Sequence, residues 1–389
     1  MTAYIAGYAR TPFAKFTGQL ATEAAVDLGA HAVSAALDRA GISADNVDQV
    51  IAGQVLQAGA GQNPARQTAV AAGIGFNTPA QTLNVVCLSG TEAISQANRL
   101  INAGEAEVVV AVGQESMSQA PHVATLRSAT KYGAANFQDT VDHDGLTDAF
   151  ERIAMGTLTD QGNSQLGLNR CDQDAYSAQS HQRAVQHQAF LADEIAPYTV
   201  KTRRGEIVIE YDDGVRGDAT AESLANLRPA FTPDGTVTAG NASQITDGAA
   251  AVVVVSQAAV ERMGLKPLAR IESTAFVAGP DVQLHSQPAN AIRCALKKAG
   301  YDTAELQVVE INEAFASVSL QSAKELGVEL DRVNPRGGAI ALGHPIGASG
   351  TRIVGTLARQ LAETGVGSVG AAGICGGGGQ GSAIILRAV

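Results

Sequence analysis

Positive charge is in short supply. Across 389 residues, 27 Lys and Arg stand against 38 Asp and Glu, for a formal charge of −11 and a pI near 5.1. A nucleic-acid footprint needs a basic face and a polybasic membrane surface needs clustered cations, so bulk charge argues against both partners. Long apolar runs are also missing: no stretch approaches the roughly 20 apolar residues that span a bilayer, and residues 1–10 lack a basic region leading into an apolar one. The expectation is a cytoplasmic enzyme with a small ligand, no nucleic acid and no membrane. Cysteine is sparse as well. Cys87, Cys171, Cys294 and Cys375 lie far apart with no C-x-x-C pair, which disfavours a zinc site and a disulfide framework. No metal is expected, and each thiol should be free.

Glycine, by contrast, is plentiful: 42 residues, above the usual share of about 7%, imply many tight turns or close backbone approaches. The length suggests roughly two to three domains, and an internal duplication organises them. Residues 36–53 (ALDRAGISADNVDQVIAG) and 295–312 (ALKKAGYDTAELQVVEIN) repeat one pattern at an offset of 259. Val26, Ala30, Val33 and Leu37 recur at helical spacing before Gly41, as do Ile292, Ala295, Leu296 and Ala299 before Gly300. Each helix leads to a strand, and VVVAV at 108–112 has a weaker counterpart around 369–374. Two similar α/β halves follow.

A polar tract from about Met117 to Gln244, carrying Lys201, Arg203 and Arg204, reads as an insertion. AAAVVVVS at 249–256 then suits a buried strand that returns the chain to the first half. The expected division is a first half at 1–116 with 245–265, an inserted loop domain at 117–244, and a second half at 266–389.

Cys87 occupies a strand-to-helix corner, where first-turn N–H groups and the helix dipole would lower a thiol pKa from about 8.5. That segment alone fits a buried structural cysteine equally well. His344, between glycines and beside Pro345, reads as a presented imidazole able to take a thiol proton at a pKa near 6.5. Shifting 87 by the repeat offset gives 346, so pseudo-twofold packing could bring Cys87 and His344 to one site. Cys375 opens CGGGGQG, whose bare N–H groups suit an oxyanion hole. Gly376, Gly378 and Gly381 match G-x-G-x-x-G, yet too few residues follow for a dinucleotide-binding unit. Asn312 and Glu313 stand at a strand end, where either function or helix capping by Asn312 is possible. Cys171, Cys294, His31, His143, His181, His187 and His285 read as structural or solvated.

Together VCLSG (86–90), NEAFA (312–316), GHPIGASG (343–350) and CGGGGQG (375–381) resemble, in order and spacing, the thiolase family. The resemblance extends from ARTPFAKFTG (9–18) through SMSQAPH, LRPAF and NASQITDGAAA to the last strand, and within the family is nearest to bacterial acetyl-CoA acetyltransferases. It implies a five-layered α/β/α/β/α core and a homotetramer, a dimer of dimers. It implies an acyltransferase of lipid metabolism that condenses two acetyl-CoA to acetoacetyl-CoA and CoA, and reverses this, with coenzyme A thioesters as substrates and no permanently bound cofactor. Cys87 would carry the acetyl group after deprotonation by His344, and Cys375 would take a proton from the second acetyl-CoA. Asn312, through a water, and His344 would stabilise the enolate, and the N–H groups of Cys87 and Gly377 the tetrahedral oxyanion. Arg216, Ser223, Leu227 and Ser243 map onto positions that hold CoA.

Departures touch the acyl pocket: Gly376 stands where Ile is usual, Gln380 for Met, Ala154 for His and Phe276 for Met. The alternative is a 3-ketoacyl-CoA thiolase of fatty-acid β-oxidation. A decarboxylating ketoacyl synthase would not need Cys375, and a non-catalytic acyl-CoA carrier would leave Cys87 unmodified.

Overall fold

The computed structural model describes residues 2–127 and 131–389; residue 1 and residues 128–130, which fall inside the first half and the insertion as drawn above, lie outside the described residues. The two copies of the repeat fold alike for the reason their sequences suggest. Helix Ala25–Ala40 buries Leu28, Ala32, Val33, Ala36 and Leu37 on one face and stops at Gly41, whose φ of 67° and N–H bonds to Asp38 and Leu37 carbonyls form a left-handed cap. Val26, assigned to that face from spacing, is only partly buried, and Leu28 takes its place. Helix Gln287–Ala299 buries Ile292, Ala295 and Leu296 and stops at Gly300 with φ 78°.

Strand order shows the duplication directly. From the middle of the sheet outward, the first half runs Ala3–Arg10, Thr246–Ser256, Val108–Glu115, Gln49–Gly53, Ala80–Leu83; the second runs Ala269–Ala278, Gln380–Ala388, Val369–Gly376, Leu306–Ile311. Corresponding strands occupy corresponding places. The halves join where Ala3, Tyr4 and Ile5 pair with Ile271, Arg270 and Ala269. Thr246–Ser256 is buried throughout and pairs antiparallel with both Ala3–Arg10 and Val108–Glu115.

Period-2 alternation assigns the layers. Val109, Ala111, Val252 and Val254 of one half-sheet and Ile374, Ile384 and Leu386 of the other share a core with Ala93, Ile94 and Ala97 of helix Ser89–Ala103 and Ile353, Val354 and Leu357 of helix Ser349–Ala362. The alternate residues Val108, Val110, Val253 and Val255 face helix Ala25–Ala40, and Ala371, Ile385 and Val309 face helices Gln287–Ala299 and Ala316–Leu326. The result is helix, sheet, two central helices, sheet, helix: five layers. The central helices begin side by side, because a Cβ on Gly90 would collide with the Thr351 backbone and one on Gly350 with Thr91. Only glycine permits that approach, and it fixes where the preceding loops meet.

The inserted segment carries helices Met155–Leu166, Arg170–Gln186 and Gln188–Glu194 and a hairpin, Tyr198–Thr202 with Gly205–Ile209, that holds Lys201, Arg203 and Arg204 on its exposed surface. Fully buried Arg10 clamps it to the core, pairing with both Asp212 oxygens at 2.6 and 2.8 Å and with Glu194 at 3.1 Å. Among the described residues no helix is long and apolar enough to cross a membrane, and no His, Cys, Asp and Glu cluster could hold a metal ion.

Candidate active site

Cys87 lies in the turn between strand Ala80–Leu83 and helix Ser89–Ala103. Asn84 Oδ1 accepts from the Val86 N–H at 2.9 Å, while Ser89 Oγ accepts from Val85 N–H at 3.0 Å and donates to the Val86 carbonyl at 2.6 Å. These bonds hold Val86 at φ 54°. A β-branched residue there costs on the order of 1–3 kcal/mol, strain of the kind kept where geometry serves a site. The half-buried Cys87 side chain receives two N–H groups, its own and that of Gly377. Burial nevertheless pushes its thiol up to about 12. The lowered pKa expected from the helix start is therefore corrected: loss of solvent outweighs both N–H groups.

His344 precedes the other central helix. Its N–H donates to the Gln244 carbonyl at 3.1 Å, and its Nδ1 stands 2.6 Å from Ser349 Oγ. Ser349 Oγ also donates to the Pro345 carbonyl at 3.1 Å. A hydroxyl that donates there accepts from Nδ1–H, which leaves Nε2 bare as the basic nitrogen. His344 is 6% exposed, not presented on an open loop, and burial with the nearby Arg352 charge depresses it to about 3. The expected ordinary pKa is thus also corrected, and the resting ring is neutral.

Cys375 lies within the last hairpin, paired with Gly381, and the turn Gly377–Gly379 takes positive φ at Gly378 and Gly379. The glycine run is a hairpin turn, not an open loop, and directs the Gly377 N–H at Cys87. Gly376 lets the strand lie on Leu88, the neighbour of Cys87, since a Cβ there would come 2.8 Å from Leu88 Cγ. Cys375 is 1% exposed, and burial first, then the neighbouring Cys87, holds its thiol far above the usual range.

Asn312 closes the set. Its Nδ2 lies 3.5 Å from the His344 ring, while its buried Oδ1 has no partner among the described residues. The helix after it begins only at Ala316, capped by Phe315, so Asn312 is not an N-cap. Glu313 serves structure: Tyr176, Ser180, Asn334 and the Ile340 N–H all donate to its carboxylate at 2.7–3.0 Å.

Cys87, His344, Cys375, Gly377 and Ser243 line one cavity of 240 Å³, walled by Met155, Phe231, Leu284, Phe315 and Ile346. A larger groove of 630 Å³ beside Val185, Leu191 and Asp213 contains no thiol or imidazole. Of the residues expected to hold CoA, Ser243 alone reaches the reactive cavity. Arg216 lies on its own segment, its backbone N–H 3.1 Å from Nδ1 of buried His181. Ser223 is exposed in a capping box with Thr220, and Leu227 packs against Gly240. Cys171 is exposed and Cys294 half-buried, both outside the cavity.

Ser349 and the apolar walls escaped the sequence reading. A serine five residues after a loop histidine, at a helix start, was the available signal for the first; the walls come from separate segments with no local pattern.

Residues 3–258 match the model of the thiolase N-terminal domain, and residues 265–388 that of the thiolase C-terminal domain. The chain is 52% identical to a probable acetyl-CoA acetyltransferase of Mycolicibacterium smegmatis, covering 97% of this chain and 98% of that one. It is 47% identical to the acetyl-CoA acetyltransferase of Chromobacterium violaceum, covering 97% of each. The crystal structure of human mitochondrial 3-ketoacyl-CoA thiolase superposes with a TM-score of 0.95 at 38% identity, covering 100% of this chain and 99% of that one. With both family domains matched and near-complete relatives at this identity, the chain belongs to the thiolase family and is an acyltransferase.

Proposed function

We propose that the enzyme is an acetyl-CoA acetyltransferase, interconverting two acetyl-CoA with acetoacetyl-CoA and CoA through an acetyl-Cys87 intermediate. The observation that carries this reading is the single cavity shared by two thiols, one neutral imidazole and the Gly377 N–H. At 240 Å³ it falls below the roughly 300 Å³ at which drug-sized ligand sites begin, which favours a short acyl group.

In the first half-reaction the Cys87 proton passes to His344 Nε2 as sulfur attacks the thioester carbonyl. The N–H groups of Cys87 and Gly377 take the oxyanion charge, and the departing CoA sulfur takes the Cys375 proton. In the second, the Cys375 thiolate removes a methyl proton from another acetyl-CoA. The enolate oxygen is met by His344–H⁺ and, through a water, by Asn312. The new carbon–carbon bond forms at the acetyl-Cys87 carbonyl, and the released Cys87 sulfur recovers its proton from His344.

In the same reading, residues 117–244 are an inserted CoA-binding domain between halves at 1–116 with 245–265 and at 266–389. Arg216 meets CoA phosphate, and Ser223, Leu227 and Ser243 the rest of the cofactor-like tail. No resident cofactor takes part. A cytoplasmic homotetramer completes the proposal, and the open sheet edge at Ala80–Leu83 with exposed Phe76, Leu126, Tyr132 and Phe137 supplies surface for assembly.

The likeness to the human enzyme favours a second reading, a 3-ketoacyl-CoA thiolase of β-oxidation. CoA-dependent cleavage of acetoacetyl-CoA is to be compared with that of C10 and C16 3-ketoacyl-CoA. Higher kcat/KM on acetoacetyl-CoA is expected; preference for the long chains would replace the first reading by the second.

A further inference from the structure

Glu115 ends strand Val108–Glu115 and is 0% exposed, yet no lysine or arginine pairs with it among the described residues. Its carboxylate is held by backbone alone. Oε2 accepts from Val55 N–H at 3.0 Å and Gly347 N–H at 2.9 Å, and Oε1 accepts from Leu56 N–H at 3.1 Å. Val55 and Leu56 follow strand Gln49–Gly53 of the first half, whereas Gly347 belongs to the loop that carries His344. One carboxylate therefore ties the histidine loop of the second half to the half that carries Cys87.

The tie depends on a close approach. A Cβ at Gly347 would come 2.8 Å from Glu115 Oε2 and 3.0 Å from the Gly53 carbonyl, closer than side chains tolerate. The loop from His344 to Ser349 is thus held at the imidazole by Ser349 and, across the halves, at the Gly347 backbone by Glu115. Burying a carboxylate without a cation is costly, so neutral packing would hold a merely structural loop more cheaply. The charge of Glu115 also adds, after burial, to the rise of the Cys87 thiol.

The geometry points to Glu115 as a positioning residue for the acyl transfer, setting through Gly347 the placement of His344 against Cys87. This rests on the reading of Cys87 and His344 as nucleophile and base. Glu115→Gln keeps the shape but turns an N–H₂ toward backbone donors. In the full-length enzyme, kcat for acetoacetyl-CoA thiolysis and the rate of Cys87 acetylation, followed by mass spectrometry, should each fall by about tenfold. KM should change by less than about twofold, because no substrate contact is removed. In a His344→Asn background, Glu115→Gln should cause no further loss. Gly347→Ala, which pushes on the same contact from the other side, should reproduce the kcat effect and serves where Glu115→Gln does not fold. Wild-type kcat in either variant, or an equal fold-loss in both backgrounds, overturns the inference. Undiminished Cys87 acetylation in His344→Asn alone would instead overturn the reading of His344 as base.

Discussion

Ser349 Oγ stands 2.6 Å from Nδ1 of His344 and 3.1 Å from the Pro345 carbonyl, so one hydroxyl selects the tautomer of the buried imidazole. Removing it frees the ring to carry its proton on Nε2, where it no longer accepts from Cys87. Ser349→Ala should lower kcat/KM for acetoacetyl-CoA thiolysis by about tenfold, the worth of one neutral hydrogen bond of roughly 1–1.5 kcal/mol. Steady-state kinetics at neutral pH read this directly, and an unchanged value would mean that another contact sets the tautomer.

The state of Cys87 before substrate arrives gives a pH prediction. With its thiol pushed up to about 12, Cys87 is protonated at neutral pH, and its thiolate fraction rises with pH throughout the working range. Alkylation of Cys87 by iodoacetamide, followed by peptide mass spectrometry, should therefore accelerate by about tenfold per pH unit from pH 6 to 9 without a plateau. A plateau below pH 7 would show a resting thiolate. His344, depressed to about 3, stays neutral over that range, so its own protonation should add no acid limb near pH 6.5.

The sequence carried the architecture because the duplication is written in local signals. Gly41 and Gly300 cap equivalent helices, and the QVIAG and LQVVEI strands begin eight and six residues after them. Cys87, His344 and Cys375 stand out in glycine-rich corners, Asn312 only through the family resemblance, and the four lie close together in the fold. Their ionisation was not legible. A helix start or a glycine flank says nothing of how much protein lies above the sulfur or the ring, and here burial overrides both local effects. Partners such as Glu115 for Gly347, more than 200 residues apart in sequence, are likewise fixed only by packing of the halves.

Cys375 separates the two half-reactions. It lines the cavity and gives its proton to the departing CoA, but a thiolate can also leave unprotonated, so Cys375→Ala should still accept an acetyl group on Cys87 from acetyl-CoA, only more slowly. Without the base, condensation to acetoacetyl-CoA should fall by about 10²–10⁴-fold, the usual range for a general acid–base group. Mass spectrometry detects the acetyl-enzyme, and absorbance of the acetoacetyl-CoA enolate reports condensation. Equal loss of both steps would mean that the proton Cys375 gives to the departing CoA limits acyl transfer as much as its role as base limits condensation.

Arg10 offers a test of how the inserted segment is anchored. Its guanidinium is fully buried, takes both oxygens of Asp212 and one of Glu194, and lies against the Phe13 ring at 5.1 Å. Arg10→Met leaves two buried carboxylates facing each other without a cation, a loss expected to cost about 3–5 kcal/mol. The thermal midpoint should fall, and limited proteolysis should cut first in the segment that holds Glu194 and Asp212. Replacing all three together by apolar residues removes the stranded charges and should recover much of the stability, since a buried ion cluster contributes little beyond a well-packed apolar one. A triple variant no more stable than Arg10→Met would mean that hydrogen-bond geometry, not uncompensated charge, holds the insertion in place.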